Sequence, residues 1–289
     1  MANIVYIFGA NGFLGSRFRS LAENPRHAGD RFFFPERRQL DIGDFAGLSR
    51  AFRDRRPDYV VNCAGFREVD LAESRRDEAR LANVTGVQNL ARACLESGAK
   101  LVHFSTHGVF DGEKSGPYLE SDPPRPRHYY GQTKWEGERE AAALLPPEKL
   151  LILRISWPYG PGGNNFISKI LLAARSSDCV RVVADEYGVP NPASLLAEKT
   201  LEIMAEAQGL LHLTCSGSCS RYEAISLMVQ SLRIPCRVIP ALSKDFPPAA
   251  PRPKNIAIAT ERADWAGRLS MPGWREAWES CLARGESAA

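Results

Sequence analysis

Long apolar runs are missing from this chain of 289 residues, and the longest examples, such as residues 150–153, are far too short to span a bilayer. The first five residues have neither a basic region nor a cleavage pattern of the kind that targeting segments show. We therefore expect a protein of the cytoplasm with no membrane partner.

Blocks of one charge are also scarce. The chain has 37 Lys and Arg against 34 Asp and Glu, a net charge of +3, and only short arginine clusters such as residues 53–56. Nucleic-acid binding is therefore not indicated. The seven cysteines are scattered, and only Cys215 and Cys219 lie close together in the sequence, so we expect reduced thiols and no metal site.

A glycine-rich turn follows the first apolar run, which covers residues 4–8. A strand, a turn with glycines three apart and a helix-compatible segment are typical of the opening of a dinucleotide-binding domain, because the backbone must closely approach a pyrophosphate there. The residues of this turn that we expect to contact a cofactor are Gly9, Asn11, Gly12, Phe13, Leu14 and Gly15.

The second predicted strand, residues 31–34, leads into the loop that reads the adenosine ribose in such folds. Glu36 would favour a free 2′-hydroxyl, whereas Arg37 and Arg38 favour a 2′-phosphate, so NADPH is the expected cofactor and NADH stays an alternative. Two solvated loop arginines are a further interpretation. The other predicted cofactor contacts follow this loop or the third strand, and they are Asp41, Ile42, Cys63, Ala64 and Gly65.

Tyr130 and Lys134 lie four residues apart and share one face of a predicted helix. A lysine one turn away is expected to lower the pKa of the tyrosine from about 10, so that the phenol can give a proton to a carbonyl oxygen. The fourth predicted strand, residues 100–106, ends in Ser105 and Thr106. Thr106 is thereby expected to meet the same carbonyl.

Strands and helices alternate as far as a strand at residues 151–156, and residues 157–163 form a loop rich in glycine and proline. A helix is predicted at 78–97, and later helices at 166–175, 195–207, 221–232 and 274–282, with strands at 180–184 and 210–214 and a loop at 187–192. The pattern predicts an α/β protein with a Rossmann-type, doubly wound parallel sheet and a small C-terminal substrate-binding lobe. Residues 1–156 would form the core, and residues 157–289 mainly the lobe, with segments returning to the core.

Several short motifs in the same order resemble the extended short-chain dehydrogenase/reductase superfamily, and more closely the dTDP-4-dehydrorhamnose reductase group. They include the glycine turn, residues 69–73, 109–112, 130–134 and 154–160, and the late Arg-Pro-Lys-Asn at 252–255. The resemblance runs from the first strand to about the end of the chain.

The resemblance implies reduction of the C4 ketone of a nucleotide-activated 4-keto-6-deoxy sugar by NADPH. It implies that Thr106, Tyr130 and Lys134 are the catalytic residues and that Lys134 also binds the nicotinamide ribose. Asn83 would complete the catalytic tetrad. Trp157 would lie by the sugar, and Arg252 near the nucleotide end of the substrate.

The chain departs from the family pattern on the expected substrate side. It has Ser-Thr-His-Gly-Val-Phe at 105–110 where the family usually has Ser-Thr-Asp-Tyr-Val-Phe, and Gly-Phe-Arg at 65–67 where the family has Ala-Tyr-Thr. Gly108 opens space, and His107 and Arg67 are potential cationic donors. We therefore hypothesise a different or more acidic substituent on the substrate, bound by Arg67 and His107, and Ser105 is a further expected substrate contact. Neutral drift of a loop is the alternative.

Other functions also agree with this sequence. The enzyme could act on another nucleotide sugar or in the biosynthesis of a glycosylated natural product. A non-catalytic regulatory subunit is a further alternative, because the β subunit of methionine adenosyltransferase resembles the same reductase group; a nucleotide sensor is another. Retention of Thr106, Tyr130 and Lys134 together favours catalysis. The sequence is compatible with a monomer or a homodimer.

Overall fold

The first half of the chain alternates strands with helices. The computed structural model describes residues 2–162, 165–262, 265, 267, 269 and 271–286. The strands are β1 (Ile4–Phe8), β2 (Arg31–Phe33), β3 (Tyr59–Asn62), β4 (Lys100–Thr106) and β5 (Leu150–Ile155). The helices are α1 (Gly15–Ala22), α2 (Phe45–Arg55), α3 (Val69–Ser74), α4 (Arg76–Arg80), α5 (Gly86–Ser97) and α6 (Tyr129–Leu144).

The second half of the chain has mostly shorter strands, and strands alternate less regularly with helices there. Its strands are β6 (Pro158–Tyr159), β7 (Cys179–Val183), β8 (Tyr187–Gly188), β9 (Asn191–Pro192), β10 (Gly209–His212), β11 (Cys219–Ser220) and β12 (Arg237–Ala241). Its helices are α7 (Phe166–Arg175), α8 (Ala193–Ile203), α9 (Arg221–Ser231) and α10 (Trp274–Ala283).

A six-stranded parallel sheet in the order β10-β5-β4-β3-β1-β2 forms the centre of the fold. The chain moves outward from β1 to β2 and then returns to the other side of β1 with β3. In open α/β sheets, ligands bind at such a reversal, outside the carboxyl ends of the strands. The predicted fold class, a Rossmann-type doubly wound parallel sheet, is confirmed.

Apolar layers cover both faces of this sheet. On one face, Phe18 of α1 and Leu196 of α8 pack over Val5 and Val102. On the other face, residues of α2 and α5 cover Tyr6 and Phe8, and β4 is buried along its whole length. Strands that are covered on both sides are expected to be continuously apolar, which is what residues 4–8 and 150–153 show.

The remaining second-half elements build a smaller core. One apolar cluster forms this core, and its buried members include Tyr159, Ile167, Met228 and Trp278. Strand β10 instead belongs to the large sheet, and helix α8 belongs to the layer that covers it. The chain after residue 156 therefore contributes to both cores.

Several predicted elements differ from the observed ones. The predicted helix at 78–97 is divided, because a π-helical turn at Leu81–Thr85 separates α4 from α5. The predicted loop at 187–192 contains β8 and β9. Neither α2 nor β12 was predicted from the sequence. Asp44 caps α2 by accepting from the Gly47 N–H, and β12 contains Pro240. Gly163, at the end of the predicted loop at 157–163, lies outside the described residues.

Candidate active site

Two backbone turns meet at the carboxyl ends of β1 and β3. Gly9 has a φ of +75°, and a Cβ atom on it would lie 2.6 Å from the Ala64 nitrogen and 2.7 Å from the Cys63 carbonyl carbon. Gly15 is equally restricted, since its Cβ would lie 2.2 Å from the Gly9 oxygen. Only glycine fits these positions, and the result is a concave backbone surface at the start of α1 that suits a pyrophosphate.

The other residues of the glycine turn have different surroundings. The Gly12 N–H donates to the Gly9 carbonyl over 2.9 Å and closes the turn. Asn11 is exposed and accepts from Arg19 through its Oδ1 over 3.1 Å. Phe13 is half-buried beside Gly160, and Leu14 packs against the core below α1.

The loop after β2 presents two exposed guanidinium groups. The Nε of Arg37 lies 2.8 Å from Asp41, and the Nε of Arg38 lies 2.7 Å from Glu36. Both side chains are more than four-fifths exposed, and each donates to its carboxylate through Nε rather than through a terminal nitrogen. A cleft between this loop and α2 is lined by both arginines and by Arg50. The local charge therefore suits a 2′-phosphate.

Asp41 and Ile42 are held by neighbouring backbone and side chains. Asp41 accepts from Arg37 and from the Gly43 N–H over 2.8 Å. The Ile42 side chain is buried against Gly86, and its carbonyl accepts from Asn89 over 3.0 Å. The Gly65 Cα lies beside Asn83, whose Oδ1 would be 2.8 Å from a Cβ at that position.

Thr106 and Tyr130 meet at the carboxyl end of β4. The Thr106 hydroxyl accepts from the Gly108 N–H over 3.0 Å and lies close enough to the Tyr130 phenol to act on its pKa. Burial raises the pKa of Tyr130 above its usual 10.0, while the Thr106 hydroxyl and the charge of Arg67 oppose that rise. We expected the charge of Lys134 to lower the pKa of this phenol below its usual value. That prediction is therefore wrong for this structure.

Lys134 lies one turn after Tyr130, but its amine faces the sheet. The Nζ atom donates to the Phe104 carbonyl over 2.6 Å and lies 3.2 Å from Nε2 of His103. Burial lowers the pKa of Lys134 to about 8, against the opposing charges of Glu138 and Cys63. At least one N–H of Lys134 is left over for a ribose hydroxyl.

Asn83 uses its side chain to fix the loop after β3. Its Oδ1 accepts from the Phe66 N–H over 2.8 Å, and its Nδ2 donates to the Phe66 carbonyl and to the Thr133 hydroxyl over 2.9 and 3.0 Å. These contacts connect the π-helical turn with α6. A direct catalytic role for Asn83 stays a prediction.

Ser105 lies in a buried ion-pair network. Its hydroxyl donates to Glu138, which also receives two hydrogen bonds from Arg154 over 3.0 and 2.7 Å. All three residues are almost completely buried. The predicted contact of Ser105 with substrate finds no support in this geometry, because the hydroxyl is already committed to a carboxylate.

His107 is not the cationic donor that we hypothesised. Burial lowers its pKa to about 4, and its Nδ1–H donates to the Ile155 carbonyl over 2.9 Å. A neutral imidazole with this tautomer offers Nε2 as an acceptor. Arg67 is about half exposed and lies 3.5 Å from Glu68. Its charge acts to lower the pKa of Tyr130.

His128 was missed in the sequence analysis. It caps α6 by accepting from the Gly131 N–H over 2.9 Å, and its ring stacks at 5.9 Å on that of Tyr130. A Cβ on Gly108 would lie 3.2 Å from the His128 ring, so this ring borders the space that the family's tyrosine would use. Burial lowers the pKa of His128 to about 4. Its only signal was its place two residues before Tyr130.

Trp157 and Arg252 come from the second half of the chain, and the charge of Arg252 acts on the pKa of His128. Trp157 is buried, has a φ of +31°, and its ring faces Phe166, Gly188 and the guanidinium of Arg221, which sequence reasoning also missed. Arg252 pairs with Asp70 of α3 over 2.7 Å, and so joins the late loop to the first half.

Within the described ranges, no group of three or more His, Cys, Asp or Glu residues could hold a metal ion. No helix among those residues has the length and apolar character needed to cross a bilayer.

Known proteins match this chain over nearly its whole length. A family model described as the RmlD substrate binding domain matches residues 2–287. The chain belongs to this family. The dTDP-4-dehydrorhamnose reductase of Escherichia coli is 34% identical over 289 residues, with 94% of each chain covered. SpsK of Bacillus subtilis, a spore coat polysaccharide biosynthesis protein, is 32% identical over 284 residues, with 98% of each covered.

A solved structure agrees with the fold of this family member. The dTDP-4-dehydrorhamnose reductase of Bacillus anthracis, crystallised in complex with NADP, superposes with a TM-score of 0.92 at 31% identity, covering 98% of this chain and 100% of that chain. The predicted membership of the dTDP-4-dehydrorhamnose reductase-like group is confirmed. So is the prediction of an NAD(P)H-dependent oxidoreductase.

Proposed function

We propose that this protein reduces the C4 ketone of a nucleotide-activated 4-keto-6-deoxy sugar, with dTDP-4-dehydrorhamnose as the first substrate to test and NADPH as the preferred cofactor. The observation that carries the proposal is the approach of the Thr106 hydroxyl to the Tyr130 phenol at the carboxyl end of β4, with Lys134 one helical turn further along α6. The names of the relatives from Escherichia coli and Bacillus anthracis support the sugar.

The residues fit the cofactor in three places. The backbone surface of Gly9, Gly15 and Ala64 suits a pyrophosphate, and Arg37 and Arg38 suit a 2′-phosphate. Lys134 has an N–H to spare for the ribose, next to its bond to Phe104. NADPH supplies the hydride when bound.

The protein's own part is to position the ketone and to give it a proton. Thr106 would hold the carbonyl oxygen, because its hydroxyl is fixed by the Gly108 N–H. Tyr130 would transfer its phenolic proton to that oxygen, and a phenol whose pKa is raised stays protonated up to alkaline pH. Burial around Tyr130 strengthens both contacts.

The substrate lobe supports a nucleotide sugar over a simple ketone. The Arg221 guanidinium lies over the Trp157 ring, and the charges of Arg221 and Arg252 act on the pKa of His107 and of His128, respectively. Arg252 would face the nucleotide end, as predicted, and Trp157 the sugar. A cationic, aromatic surface of this kind suits a diphosphate joined to a ring.

The direct test is consumption of NADPH, and then of NADH, by purified protein given dTDP-4-dehydro-6-deoxy-L-mannose made in situ. Tyr130→Phe should abolish turnover. Tyr129→Phe is the matched control, because Tyr129 precedes Tyr130 on α6 but contacts Arg76 instead. Cofactor binding without turnover of this sugar would contradict the proposed substrate, and equal loss in both variants would contradict the role of Tyr130.

A regulatory subunit or a different sugar substrate is the competing function. The observation that favours a different sugar concerns Gly108, which stands where the family pattern has a tyrosine, close to Thr106. The His128 ring borders the space that this tyrosine would use. If the rhamnose precursor is not reduced, other 4-keto sugar nucleotides should be offered to the same protein.

A further inference from the structure

A buried chain of three polar side chains runs from β3 to the amine of Lys134. Asn62 and His103 are direct neighbours in the parallel register of β3 and β4, and both are completely buried. Nδ2 of Asn62 lies 3.1 Å from Nδ1 of His103, and Nε2 of His103 lies 3.2 Å from Nζ of Lys134. Neither Asn62 nor His103 belongs to the predicted site.

The direction of these hydrogen bonds follows from one backbone group. The Ala64 N–H donates to Oδ1 of Asn62 over 3.0 Å, so the amide oxygen must face Ala64 and the amide nitrogen must face His103. Asn62 then donates to Nδ1 of His103. A neutral imidazole has one N–H and one lone pair, so the proton of His103 lies on Nε2.

That tautomer points an N–H at Lys134. The lysine amine can accept this proton bond only when it is neutral and has a lone pair, because an ammonium group has three donors and no acceptor. An ionised Lys134 instead requires an Nε2 atom without a proton, so the proton of His103 moves to Nδ1. There the Nδ1–H faces the N–H of the Asn62 amide, and two donors point at each other. One buried hydrogen bond is therefore lost whenever Lys134 is charged.

The imidazole does not resolve this conflict by taking a second proton. Burial, together with the charge of Lys134, holds the pKa of His103 well below its usual 6.5. The other titratable groups whose charges act on Lys134 are Glu138 on α6 and Cys63 after β3. Glu138 is bound to Arg154 and Ser105.

We propose that Asn62 and His103 make the ionisation of Lys134 conditional on a tautomer switch of His103. His103 is then a positioning residue, which acts on the reaction only through Lys134. The chain of contacts ends at the Ala64 backbone N–H, which only donates and passes no proton onward. Its effect is to link the charge of Lys134 to the direction of its hydrogen bond with His103. The catalytic consequence rests on the proposed function, but the switch itself does not.

The switch can be observed without turnover. In cofactor-free protein labelled with ¹⁵N-histidine, long-range ¹H–¹⁵N correlations distinguish the Nε2–H from the Nδ1–H tautomer of each of the five histidines. The His103 signals are assigned by their loss in His103→Gln. We expect the Nε2–H tautomer at high pH and the Nδ1–H tautomer at low pH, with a midpoint near the Lys134 pKa of about 8.

Two variants test the cause of this transition. Lys134→Met should keep His103 in the Nε2–H tautomer at every pH, because the Asn62 amide is its only remaining polar partner. Asn62→Asp should fix the Nδ1–H tautomer, since a carboxylate accepts where the amide donated. An Nδ1–H tautomer at every pH in the unmodified protein, or a transition that survives in Lys134→Met, would overturn the proposal. Those two results decide the matter even if Asn62→Asp does not fold.

A pH profile of kcat/KM adds a second readout. Asn62→Asp should move the alkaline limb upward by about one pH unit or more, because Lys134 then stays charged to higher pH. A purely structural defect would lower the rate equally at every pH, and that result would count against the proposal. If the tautomer transition is found but no sugar is reduced, only the proposed function fails.

Discussion

The Thr106 hydroxyl is held by the Gly108 N–H at 3.0 Å and lies close enough to the Tyr130 phenol to act on its pKa. This relationship joins the end of a buried strand to the first turn of α6, so two elements that are far apart in the sequence define one oxygen-binding position. A ketone oxygen placed there would meet a fixed hydroxyl and a proton donor together.

Removal of the Thr106 hydroxyl should therefore slow the reaction without weakening cofactor binding. We expect Thr106→Val to lower kcat by about 100-fold, whereas Thr106→Ser should retain most of the rate. Steady-state kinetics with a parallel measurement of NADPH affinity checks this. A Thr106→Val enzyme as fast as Thr106→Ser would show that the hydroxyl does not touch the reacting oxygen.

The two arginines after β2 should discriminate between the cofactors. Arg37→Ala and Arg38→Ala are each expected to raise the KM for NADPH by about tenfold, because a charge-assisted bond to the 2′-phosphate is lost, and to leave the KM for NADH unchanged. Arg53→Ala is the control, since this exposed arginine of α2 contacts Ser49. Equal effects on both cofactors would mean that neither arginine reads the phosphate.

The buried pair of Arg154 and Glu138 should dominate stability near the site. Arg154→Met alone leaves the Glu138 carboxylate buried without its partner, and we expect a loss of about 3–5 kcal/mol in the free energy of unfolding. The double variant Glu138→Leu/Arg154→Met should recover much of that loss. Denaturant unfolding of the single and double variants measures it, and simple additivity of the two changes would contradict a coupled pair.

Gly9 should tolerate no side chain. A Cβ atom there would lie 2.6 Å from the Ala64 nitrogen, at a φ of +75°. We expect Gly9→Ala to lower the free energy of unfolding by about 2 kcal/mol or more and to abolish cofactor binding. Gly116→Ala is the matched control, because a Cβ at Gly116 meets no atom within 4 Å. Calorimetry and a cofactor titration compare the two.

Acid should destabilise the protein through its buried neutral histidines. The pKa of His107 and that of His128 are about 4, below the usual 6.5, so the unfolded chain binds more protons between these values. The free energy of unfolding should therefore fall as the pH drops from 6.5 to 4. His128→Asn keeps an acceptor for the Gly131 N–H and should make this slope shallower in urea unfolding. An unchanged slope would mean that His128 takes up its proton in the folded state.

The parts of the fold that follow from local pattern were predictable. Continuous apolar strands and the glycine turn indicated the parallel sheet, because residues such as Ile7 and Leu153 carry the signal themselves. Helix α2 was not predicted although Asp44 is a local N-cap signal for it, and the π-helical turn around Asn83 was not predictable in this way. The latter depends on contacts with Phe66 and Thr133, which are distant in the sequence.

The site shows the same limit. The positions of Thr106, Tyr130 and Lys134 follow from strand ends and helix spacing, but the direction of the Lys134 amine does not. It is set by the Phe104 carbonyl and by His103, one strand away. Likewise, neither the low pKa of His107 nor the place of the His128 ring against Gly108 could be inferred from residue type, because both depend on burial.

The position of β10 at the outer edge of the sheet, beside β5, has a consequence for synthesis of the chain. Until residues 209–212 have left the ribosome, the backbone groups of β5 that they pair with have no partner, and α8 has not yet covered the apolar surface below. A nascent chain that stops after Ile155 would thus expose an open strand edge that invites aggregation. Early release of the polypeptide should yield insoluble fragments rather than a small independent nucleotide-binding protein.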